Sequence, residues 1–238
     1  MKLPRSNNTD SIVSILEQNL TNLHSFWSTM PFTQQGTWFR HNQWPHKLWQ
    51  AGFDSPLSSN LTTIAGHVLV STHPINSQLL PAQFTQSHLI TMSLGLNDNT
   101  AAELCSKVTP ETDFIQWANA CGKAFGYQID ADVIEQLAQH SNNWILSLKV
   151  DEQIAVTAIL HQTNSGFGEQ TTFGLHQMGA LTEFRGQGLA KKMMQHLIAF
   201  AKQQGASLLT LQASQAGLPL YEKLGFKAQV PLYSYRVL

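Results

Sequence analysis

The amino-acid sequence predicts an α/β fold, and three features of the chain indicate it. Apolar residues make up 42% of the 238 residues, which is enough for a sizeable core. Segments with apolar residues at helical spacing alternate with short runs typical of buried strands. A glycine-containing turn at residues 182–188 also joins one of these strands to an amphipathic helix. We therefore expect a mixed sheet with helices packed on it.

The first hundred residues predict an amino-terminal lobe. The pattern predicts an amphipathic helix over Asp10–Trp27, and a tryptophan-rich stretch follows it. Strands are predicted at Leu61–Ser71 and His88–Leu94, and the segment 73–83 between them is left open between a loop and a short helix. We expect an α/β or α+β lobe that ends at the polar turn 96–100.

This turn predicts a division of the chain into residues 1–98 and residues 99–238. In the second part, the order of strands and helices is typical of α/β proteins. The predicted strands are Ala102–Val108, Trp144–Val150, Ile154–Gln162, Thr171–Leu181, Ser207–Ala213 and Gln229–Val237, with a turn at Gly166–Gln170. The predicted helices are Asp113–Phe125, a helix from Asp130 or Asp132 to Gln139, Gly188–Gln204 and Leu218–Leu224.

Charge and cysteine content argue against several classes of function. A net charge of −1 and a charged fraction of 12% disfavour nucleic-acid and anionic-membrane partners, which require clustered Lys and Arg. Cys105 and Cys121 lack the spacing of a disulfide framework, a metal site or a redox pair, and the histidines lack metal-ligand spacing. Without a signal-peptide pattern or a membrane-spanning run, we expect a cytoplasmic protein.

The most informative stretch of the sequence runs from Met178 to Ala190. It predicts a strand that leaves the sheet, a tight turn and the start of a helix. Gly186 and Gly188 allow close approach of the backbone, and Gly188 tolerates dihedral angles that a Cβ would forbid. The first amides of a helix lack intrahelical acceptors, and the helix dipole adds partial positive charge. The turn therefore predicts a binding site for a diphosphate.

Two motifs in this part of the chain resemble those of the GNAT N-acetyltransferase superfamily. Arg185-Gly186-Gln187-Gly188-Leu189-Ala190 resembles the family signature Q/R-x-x-G-x-G/A. Further along, Leu220-Tyr221-Glu222-Lys223-Leu224-Gly225-Phe226 resembles a second family segment, L-Y-x-x-x-G-F. One helix, one strand and one loop separate the two motifs, as in the family. The resemblance covers roughly Ala101–Leu238 and does not extend visibly over the first hundred residues.

The resemblance implies a fold, a reaction and a cosubstrate. The fold is a mixed, mostly antiparallel sheet flanked by helices. Whether the amino-terminal lobe is a degenerate half of the same type or an unrelated α/β lobe is left open. The reaction is transfer of an acetyl group from acetyl-CoA to a primary amine, by direct attack in a ternary complex. The residues implied in CoA binding are Met178, Gly179, Ala180, Arg185, Gly186, Gln187, Gly188, Leu189, Ala190, Lys191 and Ser214.

The resemblance also implies a role for the main chain and for two side chains of this site. The main chain of 178–180 pairs with the pantetheine arm, and the amides of 186–191 hold the diphosphate. Tyr221 protonates the departing CoA thiolate, because a phenol with a pKa of about 10 keeps its proton at neutral pH. Ser214 stands where many family members have Asn, and Gly217 stands where Ala is usual, so a hydrogen bond from Ser214 to CoA is the weaker part of the resemblance.

The general base is predicted to be His176. Strand alternation predicts that His176, Met178 and Ala180 share one face of the sheet. An imidazole with a pKa of about 6.5 is suited to take a proton near neutrality, and arylalkylamine-type members of the family resemble this arrangement. Glu169 is an alternative that would act through water, whereas Glu183 is expected to face solvent.

Other interpretations stay open at this stage. His176 and Tyr221 could be structural side chains, and the domain could bind acyl-CoA as a sensor without turning it over. No G-x-S-x-G elbow is present and neither cysteine has an evident base partner, which disfavours a covalent acetyl-enzyme. The nucleotide-binding G-x-x-x-x-G-K-[ST] and G-x-G-x-x-G motifs are absent. The acceptor is expected to be a small-molecule or peptide amine, and the amino-terminal lobe to close over it or to pair with another subunit in a homodimer.

Overall fold

The computed structural model describes residues 8–54, 66–76, 83–97, 99–164 and 171–237. In chain order, the described helices and strands are α1 (Asn8–Trp27), β1 (Phe32–Gln35), β2 (Trp38–His41), β3 (Lys47–Gln50), β4 (Val68–Ser71), β5 (Phe84–Gly95), β6 (Val108–Pro110), α2 (Phe114–Phe125), α3 (Ala131–Ala138), β7 (Asn143–Val150), β8 (Gln153–Asn164), β9 (Thr171–Ala180), α4 (Leu189–Gln203), β10 (Ala206–Ala213), α5 (Leu218–Lys223) and β11 (Lys227–Val237). No described helix is long and apolar enough to cross a membrane.

All of the described strands belong to one sheet. Their order is β1-β2-β3-β4-β11-β5-β10-β9-β8-β7-β6. The neighbours β3 and β4 pair in parallel, as do β9 and β10. The other neighbouring strands are antiparallel. The predicted α/β class with a mixed, mostly antiparallel sheet is therefore confirmed.

Strand β5 connects the two parts of the chain. It precedes the predicted boundary at residue 98, yet it lies between β10 and β11, which both follow that boundary. At one level of the sheet, Ile90 of β5 pairs with Ala213 on one side and with Pro231 on the other. The sheet thus runs through the division between residues 1–98 and 99–238, which stays a prediction.

Helix α1 from the amino-terminal part packs on strands of the carboxyl-terminal part. Two fully buried asparagines hold it there. The side-chain amide of Asn19 donates to the carbonyl of Met92, at 2.9 Å, and the amide of Asn22 donates to the carbonyl of His161, at 3.0 Å. Buried amides are costly unless they are hydrogen-bonded, so these contacts define one docking position for the helix. Gly174 of β9 permits close packing, since a Cβ there would overlap the side chain of Asn22.

Two apolar clusters cover the two faces of the sheet. The first contains the buried sides of α1, α2 and α3, with Phe26 and Trp117 among its fully buried side chains. The second lies under α4, whose Met193 and Leu197 are completely buried against β8, β9 and β10. Each fully buried side chain of this size contributes about 1.5–3 kcal/mol. The helices are thus held by the apolar stripes that the sequence predicts.

Most predicted elements after residue 113 are present, but a predicted strand before it is wrong. The segment Ala102–Val108 is not a strand, and only Val108–Pro110 pairs with the sheet. Its main chain lies along α4 instead, where the amide of Cys105 donates to Nδ1 of His196 at 3.1 Å. In the amino-terminal part, strands β1, β2 and β3 occupy the tryptophan-rich stretch, for which no strand is predicted.

Some predicted features fall outside the residues that the structure describes. The turn Gly166–Gln170, with the alternative base Glu169, is one of these. The first part of the predicted strand Leu61–Ser71 is another, and only its end is seen, as β4.

Candidate active site

Strands β9 and β10 separate at one end and leave a gap in the sheet. They pair in parallel from the level at which Thr171 faces Ala206 to the level at which Leu175 faces Leu211. Beyond this level β9 continues along β8 and β10 continues along β5. Main-chain groups at 176–180 therefore face a gap that no described strand fills. Such groups can pair with a ligand that lies in the gap in an extended conformation.

A β-bulge in β9 lies at the edge of this gap. Gln177 has a φ of 49°, and the register against β8 shifts between Thr157 and Ile159. The hydroxyl of Thr157 donates to the carbonyl of Gln177 at 3.1 Å and stabilises the bulge. Because a bulge adds one residue to the strand, side-chain alternation changes at this point.

The bulge separates side chains that the sequence predicts on one face. His176 stacks on Phe26 of α1, whereas Met178 and Ala180 pack in the cluster under α4. The prediction that His176 shares a face with Met178 and Ala180 is therefore wrong. Strict alternation assumes a regular strand, and no residue type in this stretch signals the extra residue.

The turn before α4 presents a row of main-chain amides. Gly186 and Gly188 have φ values of 77° and 75°, which favour glycine, and a Cβ on either would point into open space. Gly188 caps α4 without a side-chain hydrogen bond. Within the described part of the chain, the amides of 186–191 have no hydrogen-bond acceptor. These are the amides of Gly186, Gln187, Gly188, Leu189, Ala190 and Lys191, and free amides at a helix start can bind an anion.

The side chain of Arg185 positions this turn. Its Nε donates to the carbonyl of Ala180 at 3.1 Å, and its Nη2 donates to the carbonyl of Ala124 at 3.2 Å. The guanidinium thus joins the end of β9 to the end of α2. Arg185 acts through the geometry of the main chain, and the exposed amides after it are the groups that can touch a ligand.

Tyr221 lies on the opposite side of the gap from β9. Its hydroxyl donates to Sδ of Met178 at 3.5 Å, and only 8% of the residue is exposed. Burial raises the pKa of Tyr221 to about 12. The phenol therefore keeps its proton at neutral pH and can donate it to an anion that forms beside it.

Gly217 and Ser214 shape the surroundings of this tyrosine. A Cβ on Gly217 would lie 2.9 Å from Cε2 of Tyr221, so the ring packs directly on the glycine. The amide of Gly217 donates to Oγ of Ser214 at 3.3 Å, and Ser214 lines the same cavity as Tyr221. The predicted residues Met178, Ser214 and Tyr221 are thus brought together.

His176 is enclosed between the sheet and α1. Its ring lies 3.9 Å from that of Phe26, and its Nε2 lies 3.3 Å from Oδ1 of Asn22. The side-chain nitrogen of Asn22 donates to two other acceptors, so the Asn22 atom that faces His176 is its oxygen. Because this oxygen can only accept, Nε2 of His176 carries the proton and Nδ1 carries the lone pair. Burial, with the charge of His161 as a smaller cause, lowers the pKa of His176 well below 6.5. The imidazole is neutral at pH 7.

A cavity of about 1210 Å³ adjoins this gap. His176, Met178, Ser214 and Tyr221 line it at one end, and the strands β3, β4, β11 and β5 form its floor toward the other end. Helix α1 and the segment 125–132 form further walls. Its volume is large enough for an extended ligand next to the groups described above.

Sequence reasoning missed several residues of this cavity. Phe26 lines the cavity and Asn22 contacts His176, and both belong to α1, whose amphipathic pattern predicts a buried face and not which strands it covers. Lys47 and Arg236 also line the cavity, and no motif surrounds either of them. Among the described residues, no cluster of His, Cys, Asp and Glu is arranged to hold a metal ion.

The comparison with protein families assigns one segment of the chain to a family. Residues 111–226 match the model of the acetyltransferase (GNAT) family. This segment is a GNAT acetyltransferase domain. The GNAT domain so defined contains the bulged strand, the amide turn and Tyr221. It leaves out α1 and β5, which complete its sheet and its cavity.

Solved structures agree with the GNAT fold over nearly the whole chain. A chain from Novosphingobium aromaticivorans assigned to the GNAT family has a TM-score of 0.65 and 14% sequence identity, with 93% of this chain and 99% of that chain covered. A GCN5-related N-acetyltransferase from Kribbella flavida has a TM-score of 0.60 and 15% identity, with coverage of 93% and 95%. At these identities the likeness shows the fold alone, and it includes the part before the GNAT domain.

Proposed function

We propose that this protein is an N-acetyltransferase that transfers the acetyl group of acetyl-CoA to a primary amine. The observation that carries the proposal is the position of Tyr221, whose protonated hydroxyl contacts Met178 across the gap between β9 and β10. The amides of 186–191 lie at the other side of the same strand end, where a diphosphate would bind. One extended cosubstrate can therefore reach both groups.

In the proposed reaction, both substrates are bound together. The amine nitrogen attacks the thioester carbon and forms the C–N bond, and the C–S bond then breaks. The phenol of Tyr221 gives its proton to the departing thiolate, and main-chain amides of β9 orient the carbonyl oxygen. Release of CoA, recovery of the tyrosine proton from solvent and release to solvent of the proton taken from the amine complete the cycle.

The proton of the attacking nitrogen needs an acceptor, for which we propose His176. The imidazole lines the cavity and is neutral, with its lone pair on Nδ1. A buried imidazole of low pKa is a weak base, but the nitrogen of the tetrahedral intermediate is far more acidic than the free ammonium ion. His176 therefore acts after the attack begins.

The test combines binding with turnover. Acetyl-CoA is titrated calorimetrically into the protein, and thiol release is then followed with a panel of amines. Binding of acetyl-CoA together with amine-dependent thiol release is the expected result. An acyl-CoA sensor is the second candidate, and binding without thiol release for any amine would favour it. Failure of acetyl-CoA to bind at millimolar concentration contradicts both.

A further inference from the structure

Two basic side chains lie in one row of the sheet that forms the cavity floor. Lys47 on β3 and Arg236 on β11 both pair with Val68 on β4, so these three side chains point to the same face. Their Cα atoms are separated by two strand spacings, about 9–10 Å, which the two long side chains can bridge. Both residues line the cavity.

No described carboxylate forms an ion pair with Lys47 or Arg236. The ion pair seen in the described part of the chain joins Lys149 to Glu111, far from this row. The segments 55–65 and 77–82, which connect the neighbouring strands, contain neither Asp nor Glu in the sequence. Burial and then the charge of Arg236 lower the pKa of Lys47 to about 8, so the ammonium form still predominates at pH 7.

Two carboxylates also line this cavity, those of Asp130 and Asp132 on the wall formed by residues 125–132. Asp130 caps α3, where its carboxylate accepts the amide of Asp132 at 3.0 Å. Burial and the charge of the neighbouring His67 lower the pKa of His46, whereas the charge of Asp130 raises it. Neither carboxylate forms an ion pair with Lys47 or Arg236, so the two cations on the floor can still bind an anionic group of a ligand.

The basic pair lies at a definite distance from the reacting end. Because Ile90 pairs with Ala213, Leu89 is level with Ser214, which lies beside Tyr221. Arg236 pairs with Thr85, four residues earlier on the same strand. Four residues of a strand span about 13 Å. The cavity therefore separates a site for an anion from the thioester by roughly this length.

We propose that the acceptor is an elongated primary amine whose carboxylate binds to Lys47 and Arg236 while its nitrogen reaches the thioester beside Tyr221. This inference rests on the proposed acetyl transfer and names its substrate class. A free α-amino acid is too short, since one extended residue spans about 3.3–3.6 Å, whereas three or four residues span the cavity. A short peptide with a free carboxyl end and an ω-amino acid of equal length share this chemistry.

The lining of the cavity is partly apolar and partly polar. Phe26 of α1, Phe125 at the end of α2 and Leu89 on the floor line the cavity, and so do Ser87 and Ser234, which pair on the floor between the levels of Arg236 and Leu89. Ile115 and Tyr127 also line it and are exposed, at 69% and 46%. Exposed apolar side chains around a concave site are typical of a binding surface.

The experiment compares matched pairs of acceptors in the acetyl-CoA thiol-release assay. The pairs are apolar peptides of one to five residues as free acids and as carboxyl-terminal amides, with ω-amino acids of matching length and their amides. They are tested with the unchanged protein, Lys47→Met and Arg236→Gln. Lys227→Met is the control, because Lys227 is exposed on β11 and does not line the cavity.

We expect the free acids of three or four residues' length to be preferred over their amides by about tenfold or more in kcat/KM. Lys47→Met and Arg236→Gln should abolish this preference, mainly through KM, while Lys227→Met retains it. Whether peptides or ω-amino acids react faster distinguishes the two sources of the acceptor. Equal use of acids and amides at every length overturns the inference, as does turnover confined to amines outside these pairs. The proposed function itself fails only if no amine releases thiol.

Discussion

The hydroxyl of Tyr221 lies 3.5 Å from the sulfur of Met178. The second motif of the GNAT domain therefore contacts β9, the strand that precedes the first motif in the chain. The two residues stand on opposite sides of the gap between β9 and β10. A thioester that enters this gap would displace the sulfur as the partner of the phenol. We therefore propose this contact as the place where a thiolate would meet a proton donor.

Replacement of Tyr221 by Phe is expected to lower kcat about a hundredfold, because the proton donor to the thiolate is lost. Calorimetry should give an unchanged affinity for CoA, since the ring still fills its site. Tyr233→Phe is the matched control, because Tyr233 lies on β11 away from the cavity lining. Retention of full turnover in Tyr221→Phe would leave the tyrosine a structural role only.

Gly217→Ala is expected to reduce kcat about tenfold or more by displacing the ring of Tyr221. The backbone of Gly217 suits any residue, but the added Cβ would approach the ring to 2.9 Å. Steady-state kinetics with acetyl-CoA give the measurement. Gly95→Ala provides the comparison, since a Cβ on Gly95 meets nothing within 4 Å. Equal activity of Gly217→Ala and Gly95→Ala would mean that the displacement of the Tyr221 ring does not affect kcat.

His176→Gln is expected to lower kcat about a hundredfold if the imidazole removes the amine proton. Burial lowers the pKa of His176, so the unchanged enzyme should lose this activity only below pH 6.5. The pH profile of kcat checks both points, and the exposed His88→Gln serves as the control. If His176→Gln unfolds at a lower temperature but keeps the same kcat per folded molecule, His176 has a packing role only.

Stability is expected to fall as the pH decreases from 6.5 toward 4. Burial lowers the pKa of His41 and of His161 to about 4, so both bind protons in the unfolded chain before they do so in the folded one. Unfolding then takes up protons, and the free energy of unfolding decreases by about 1–3 kcal/mol for each histidine. Urea denaturation at pH 7.5, 6 and 5 provides the measurement.

The variant His161→Gln tests the cause of this acid dependence. It removes one of the buried histidines whose pKa is lowered, so its stability should depend less steeply on pH over the same range. Parallel curves for the variant and the unchanged protein would attribute the acid loss to other groups.

A chain that begins at Thr100 is expected not to fold on its own. It lacks β5, which lies between β10 and β11, and α1, which covers β8, β9 and β10. Exposed strand edges and an uncovered apolar face favour aggregation. Circular dichroism and size-exclusion chromatography give the measurement, with co-expression of residues 1–98 as the rescue. A soluble, active truncated protein would support two independent domains.

Local patterns were enough to predict much of this protein. The helices α2 to α5 and the strands β7 to β11 follow from hydrophobic periodicity, and the amide turn follows from two glycines before an amphipathic helix. In these segments the residues that specify the structure are neighbours in the chain. The two motifs around Arg185 and Tyr221 likewise predict the GNAT domain, because the groups that they contribute are local.

Only the tertiary structure decided how the distant parts of the chain meet. The bulge at Gln177 moved His176 to the face covered by α1, and β5 entered the sheet of the GNAT domain from the other side of the polar turn. Lys47 and Arg236 lie far apart in sequence and share one row through Val68. Strand register and helix docking depend on the free energy of packing over the whole sheet, which no short window of sequence contains.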